Sequence, residues 1–250
     1  MFCVIAAGRR PRLTRVPRGL TGMGPVRLLD VADGLFAAVA DAPLARYGEA
    51  AIDRGLSDVG WVSRAAVAHD AVVESFLEET AVLPMKLFTL FTTDERALEH
   101  LRAERRRIAA VVKRVANHQE WGVRVALDRG REAAPAPKKA PSAGAASGLA
   151  YLTRKKAQRD QVVELAARAR ETVAALYDRL AARSRLAKRR LAGDLPVQGG
   201  PLLLDAAFLV PRGRAVSFRA LATRESRALA RLGYGVTLTG PWPPYSFVQD

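Results

Sequence analysis

Apolar residues in this chain keep changing their spacing, from every second residue to every third or fourth and back. No single class of secondary structure accommodates that, because strands bury alternate side chains and helices bury a stripe of period 3.6. The clearest period-two run is Glu120–Leu127, where Trp121, Val123, Val125 and Leu127 alternate with Gly122, Arg124 and Ala126. Phe2–Ala7, Val26–Asp30 and Leu35–Ala40 are shorter strand-like runs, and Asp33-Gly34 between the last two signals a hairpin. The Arg-, Pro- and Gly-rich stretch between the first two runs predicts a mobile loop. From Asp58 the spacing changes: Val59, Val62, Ala66, Val67, Val72, Val73, Phe76 and Leu77 recur at helical steps behind the caps Ser57 and Asp58. Thr80–Leu83 and Lys86–Thr92 then predict short extended pieces around Pro84. The chain must therefore be α+β.

The second half repeats the alternation. Thr93-Asp94 caps a charged helix over about Glu95–Ala116 that leads into the Glu120–Leu127 strand. Asp128–Gly148, dominated by Ala, Pro, Gly and Ser, cannot bury enough apolar surface to offset its ordering entropy and predicts a flexible loop. A long helix is expected from about Ala150 to Leu191. Its positions Val162, Ala166, Ala169, Val173, Leu176 and Leu180 form a heptad-like seam, so it predicts a coiled-coil-like arm. Strand Leu202–Val210, helix Ala215–Leu232 and strand Tyr234–Gly240 complete a β-α-β-α-β pattern, a small sheet with helices on one side. Two α+β lobes are expected, an N-terminal one over residues 1–92 and a C-terminal one over 93–250.

Composition narrows the function classes. With 49% hydrophobic and 26% charged residues, wholesale disorder is excluded. No apolar run approaches the roughly 20 residues that span a bilayer, and Phe2–Ala7 lacks the layout of a signal peptide, so a cytoplasmic protein is the expectation. Forty Lys and Arg against 25 Asp and Glu give a net charge of +15, which keeps a basic nucleic-acid-binding protein as the rival reading. Aromatic residues make up only 6%, too few in the basic helix to form a stacking platform.

Catalytic patterns are missing. His69, His100 and His118 are 31 and 18 residues apart, outside any zinc-ligand spacing, and Cys3 is the only cysteine. Gly19–Gly24 is not a phosphate-binding loop, since no Gly-Lys-Ser/Thr follows and a strand comes next. No Gly-x-Ser-x-Gly elbow occurs, and Glu78 and Glu79 point about 100° apart on a helix. The sequence predicts no catalytic residue, no cofactor and no metal site.

What remains is the C-terminal segment. Pro241, Pro243 and Pro244 fix a stiff, extended backbone, and Trp242, Tyr245 and Phe247 carry large apolar faces. Two readings stand: a clamp that packs back on its own lobe, or a preorganised docking edge made by Trp242, Pro243, Pro244, Tyr245 and Phe247.

The same segment, Gly240-Pro-Trp-Pro-Pro-Tyr-Ser-Phe247, resembles the closing signature of the gas vesicle protein F/L family (GvpF/GvpL). Leu83-Pro-Met-Lys-Leu-Phe-Thr-Leu-Phe91 is similar to the family's central stretch, with Leu87 and Phe88 where Gly or Phe-Gly is commoner. His69 matches its helix histidine, Trp121-Gly-Val-Arg-Val125 its Trp-Gly-Val-Lys-Val strand, and Tyr151-Leu-Thr-Arg-Lys-Lys156 the opening of its long helix. The resemblance implies two α+β lobes of ferredoxin-like character. It implies a non-enzymatic accessory or minor structural protein, made in the cytoplasm and found at the gas vesicle. Its implied partners are the small hydrophobic major shell protein (GvpA-like) and other gas vesicle accessory proteins.

Overall fold

The computed structural model describes residues 1–127, 148–190 and 201–248. Two compact units emerge, one formed by Met1–Glu120 with Pro241–Asp250 and the other by Trp121–Gly240. The division therefore falls after Glu120 and not after residue 92, and the C-terminal segment joins the first unit.

The first unit is built on a four-stranded sheet of order β2-β3-β1-β4, with β1 Cys3–Ala6, β2 Arg27–Ala32, β3 Leu35–Val39 and β4 Ala81–Pro84. All three pairings are antiparallel, and Ile5 of the central strand sits between Phe36 and Val82. Gly34 turns the β2–β3 hairpin at φ 66°, a conformation a Cβ would strain, as the Asp-Gly signal requires. Every residue of β1 is buried, so both sheet faces must be covered. On one face Cys3, Ile5, Phe36 and Val82 pack with Ala65, Val72, Val73 and Phe76, which helix α3 (Val59–Glu74) and the turn after it supply. On the other, Val4 and Leu83 meet Leu101, Ile108 and Val111 of α4 (Asp94–Ala103) and α5 (Arg105–Val115) around a residual void of about 50 Å³. These two helices close the first sheet, which is why residues 93–120 belong to it.

Local chemistry sets the helix boundaries. The Asp58 carboxylate accepts the Trp61 N–H at 3.1 Å and caps α3, and Thr93 Oγ1 accepts the Arg96 N–H at 3.3 Å and caps α4. The expected charged helix is interrupted at Glu104 into α4 and α5. Two short helices, α1 (Leu44–Tyr47) and α2 (Glu49–Leu56), precede α3 where no element is predicted. Lys86–Thr92 is a turn and not a strand: the Thr89 N–H donates to the Lys86 carbonyl at 3.1 Å, and Phe88 adopts φ 62°. The loop after β1 is anchored, with Leu20 buried in the core and Gly19 so close to the Phe2 ring that a Cβ would stand 2.5 Å from it.

The second unit holds a sheet of order β6-β7-β5-β8, with β5 His118–Leu127, β6 Leu186–Arg189, β7 Leu202–Pro211 and β8 Tyr234–Trp242. The unit boundaries fall within β5 and β8. Helices α6 (Gly148–Ala181) and α7 (Ala215–Ala230) contribute Val173, Leu176, Leu180, Phe218, Ala222 and Leu229 to one core with Trp121, Val123, Val125 and Phe208. Phe218 is fully buried between Phe208 and Trp121, at ring distances of 5.7 and 6.2 Å. In chain order the unit reads β-α-β-β-α-β, and its strand order, central pair flanked by the second and fourth strands, is the ferredoxin-like one.

The long helix ends ten residues before the expected Leu191. The Ser184 hydroxyl bonds back to the Leu180 carbonyl, and the Arg185 N–H then donates to the Leu209 carbonyl, so Leu186–Arg189 becomes β6 paired with β7. Of the heptad-like seam, Val173, Leu176 and Leu180 pack on the sheet, and Ala169 is half-buried. The predicted loop 128–148 lies, Gly148 apart, outside the described residues.

Candidate docking surfaces

Trp242, Pro243, Pro244, Tyr245 and Phe247 are divided by the structure into one displayed residue and four held ones. Trp242, the last residue of β8, is 39% exposed, whereas Pro243, Pro244 and Phe247 are buried and Tyr245 is half-buried against the first core. A short helix α8 (Tyr245–Val248) follows and packs on α5 and β4.

Hydrogen bonds fix this tail at three points. The Tyr245 hydroxyl donates to Asp70 Oδ1 at 2.7 Å. Ser246 donates twice to the buried Glu120 carboxylate, from its backbone N–H at 2.7 Å and from its hydroxyl at 2.8 Å. Arg114 Nη1 donates to the Phe247 carbonyl at 3.2 Å. Glu120 is 3% exposed, and a carboxylate there is tolerable only because donors face it. The His69 ring, with Nδ1 3.6 Å from Asp70, and the Tyr245 hydroxyl hold the Asp70 carboxyl below the usual range. Burial, and then the hydrogen bond to Asp70, pushes the Tyr245 hydroxyl well up, so it stays a donor at neutral pH. His69 itself is buried beside the Phe2 ring, and its Nε2 has no hydrogen-bond partner among the described residues.

A second feature of the first unit escapes sequence inspection. Trp61, at the start of α3, stacks on Phe88 with centroids 5.0 Å apart and an interplanar angle of 17°. Tyr47 stands beside both rings, at 6.5 and 6.4 Å, and its hydroxyl donates to the Thr21 carbonyl at 2.8 Å. A left-handed backbone at a bulky residue costs about 1–2 kcal/mol, and Phe88 carries that strain while completing the stack. Gly55 of α2 lies so near that a Cβ would meet the Trp61 ring at 2.6 Å. The aromatic cluster borders an open cavity of about 390 Å³, whose charged lining residues are Arg46 and Arg64. Leu44, Val59 and Val67 on the surrounding helices are 83%, 78% and 70% exposed. The only signals in the sequence are Trp61 on an otherwise ordinary helix and Phe88 at a glycine-prone position.

Other chemistry is limited. Cys3 is fully buried in β1, and burial pushes its thiol up, so it stays protonated and unreactive. Among the described residues no three His, Cys, Asp or Glu side chains converge to hold a metal ion. No helix among them is long and apolar enough to cross a membrane.

Comparison with known proteins places this architecture. A family model described as gas vesicle synthesis protein GvpL/GvpF matches residues 1–249. Gas vesicle protein L of Streptomyces sp. (strain CB03234) is 32% identical over 247 residues, covering 97% of this chain and 91% of the relative. Among solved structures, gas vesicle protein GvpF from Anabaena sp. PCC7120 superposes with a TM-score of 0.67 at 15% identity, over 100% of this chain and 94% of that one. GvpF from Microcystis aeruginosa gives 0.65 at 15% identity, over 100% and 98%. The two GvpF structures share the fold, and the matches along the sequence go further: this chain belongs to the GvpL/GvpF family of gas vesicle proteins.

Proposed function

We propose that the protein is a non-enzymatic accessory or minor structural component of gas vesicles that binds the small hydrophobic major shell protein (GvpA-like) and supports its assembly. Other gas vesicle accessory proteins are further partners, and the protein works at the gas vesicle in the cytoplasm. The single observation that carries this reading is the family match from residue 1 to 249. The display of Trp242 beside anchored prolines supports a docking role for Trp242, Pro243, Pro244, Tyr245 and Phe247. A rigid aromatic residue on a fixed backbone loses little entropy on binding. In this arrangement Trp242 makes the contact, and the other four hold it in place.

Co-purification of the shell subunit with the full chain tests the proposal. Trp242→Ala lowers the bound fraction about tenfold or more while hydrogen exchange of the tail stays at the wild-type rate. Unchanged binding refutes the tail as the contact. A second reading, nucleic-acid binding, draws on the outward face of α7, where Arg219, Arg227 and Arg231 line an open cavity with Val216. A phosphate-driven complex would lose affinity steeply with salt.

A further inference from the structure

We propose that the cavity between α1, α2 and α3 is a peptide-binding pocket for a partner segment that places an apolar side chain next to a carboxylate. The inference rests on the reading that the protein works by holding another polypeptide, and it names the chemistry of one contact.

The observations converge on that occupant. Part of the lining is aromatic: Trp61, whose ring stacks on Phe88 outside the lining, and Tyr47, pinned by its hydroxyl to the Thr21 carbonyl. The rim is cationic. Of the ten lining residues the only charged ones are Arg46 and Arg64, both exposed, and neither makes an ion pair among the described residues. No ion pair among the described residues occupies either guanidinium, and such groups favour carboxylates through directed, charge-assisted hydrogen bonds.

The Trp61 ring is fixed in its place in the lining. Phe88 takes a left-handed backbone to bring its ring under Trp61, and Gly55 gives the Trp61 ring its place against α2. A volume of about 390 Å³ suits one or two side chains and not a folded domain.

The test uses the full chain and two acetylated, amidated tetrapeptides, Ser-Phe-Glu-Ser and Ser-Phe-Gln-Ser, titrated by calorimetry at fixed ionic strength. The Glu peptide is expected to bind about tenfold tighter than the Gln peptide, the ratio one charge-assisted hydrogen-bonded contact supplies. Arg46→Gln with Arg64→Gln should remove that preference. Both side chains are exposed, so the fold survives, and most of the chain's positive charge remains to report non-specific attraction. Equal affinity for the two peptides, no binding of either, or a preference that persists in the double variant would each overturn the pocket. Shell-subunit binding measured on the same wild-type sample keeps the two readings apart. If it persists without peptide binding, the pocket alone is wrong. If it is absent as well, the docking reading itself fails.

Discussion

Tyr245→Phe removes one atom from the tail and isolates the bond that fixes it. The ring remains packed on the first core, but the 2.7 Å donation to Asp70 disappears. Hydrogen bonds to a charged group contribute about 1.5–3 kcal/mol. Asp70 is 49% exposed, so water can replace the hydroxyl and the loss falls near the lower end, about 1.5 kcal/mol. That corresponds to about tenfold more frequent opening of the tail. Two compact units make a single unfolding midpoint ill-defined, so amide hydrogen exchange over residues 241–248 is the sharper readout. The pH dependence adds a sign. The Asp70 carboxyl is held below its ordinary value, so its stabilisation is complete above about pH 4 and is lost as pH falls through the lowered folded value. The difference between wild type and variant should therefore shrink in acid. Tail exchange at the wild-type rate in Tyr245→Phe at pH 7 would refute the reasoning.

Three further substitutions test the packing. Gly55→Ala would ordinarily stabilise a helix by about 1 kcal/mol. Here the added Cβ meets Trp61 at 2.6 Å, so the expected sign is reversed, with a net loss of about 1–2 kcal/mol from overpacking and a changed near-ultraviolet circular dichroism signal. Phe218→Ala removes a fully buried ring from the second core and should cost about 3–5 kcal/mol, read by urea denaturation through the fluorescence of the neighbouring Trp121. Asp94→Asn breaks the paired contact with Arg27, which holds the Asp94 carboxyl below its usual range. Both groups are partly exposed, so the loss at pH 7 should be about 0.5 kcal/mol; it should persist down to about pH 4 and fade as pH falls further, through the lowered value of Asp94, where protonation removes the contact in wild type too.

The fold is legible where its cause is local. Period-two alternation marks β5, Asp33-Gly34 marks the first hairpin, and Asp58 and Thr93 mark the starts of α3 and α4. It is illegible where distant residues decide. Leu186-Ala-Lys-Arg189 has the propensity of the helix before it, and only pairing with Leu209 through Ala206 makes it a strand. Lys86–Thr92 has strand composition but turns, because Phe88 serves the aromatic stack. The tail shows its prolines and aromatics plainly, yet its anchors Asp70 and Glu120 are 175 and 126 residues away in sequence. The cavity flanked by Arg46 and Arg64 is assembled from three helices and a loop, two of the helices too short to carry a periodic signal.

Gripping another polypeptide is the activity proposed for this chain. Its most direct measurement is the affinity of the purified, nuclease-treated protein for the shell subunit, compared with its affinity for duplex DNA between 50 mM and 500 mM salt. The account predicts a shell-subunit complex that changes little across that range, because apolar contacts dominate it, and DNA binding that fades by orders of magnitude. No complex with the shell subunit at any salt, beside DNA binding that survives 500 mM, would contradict it.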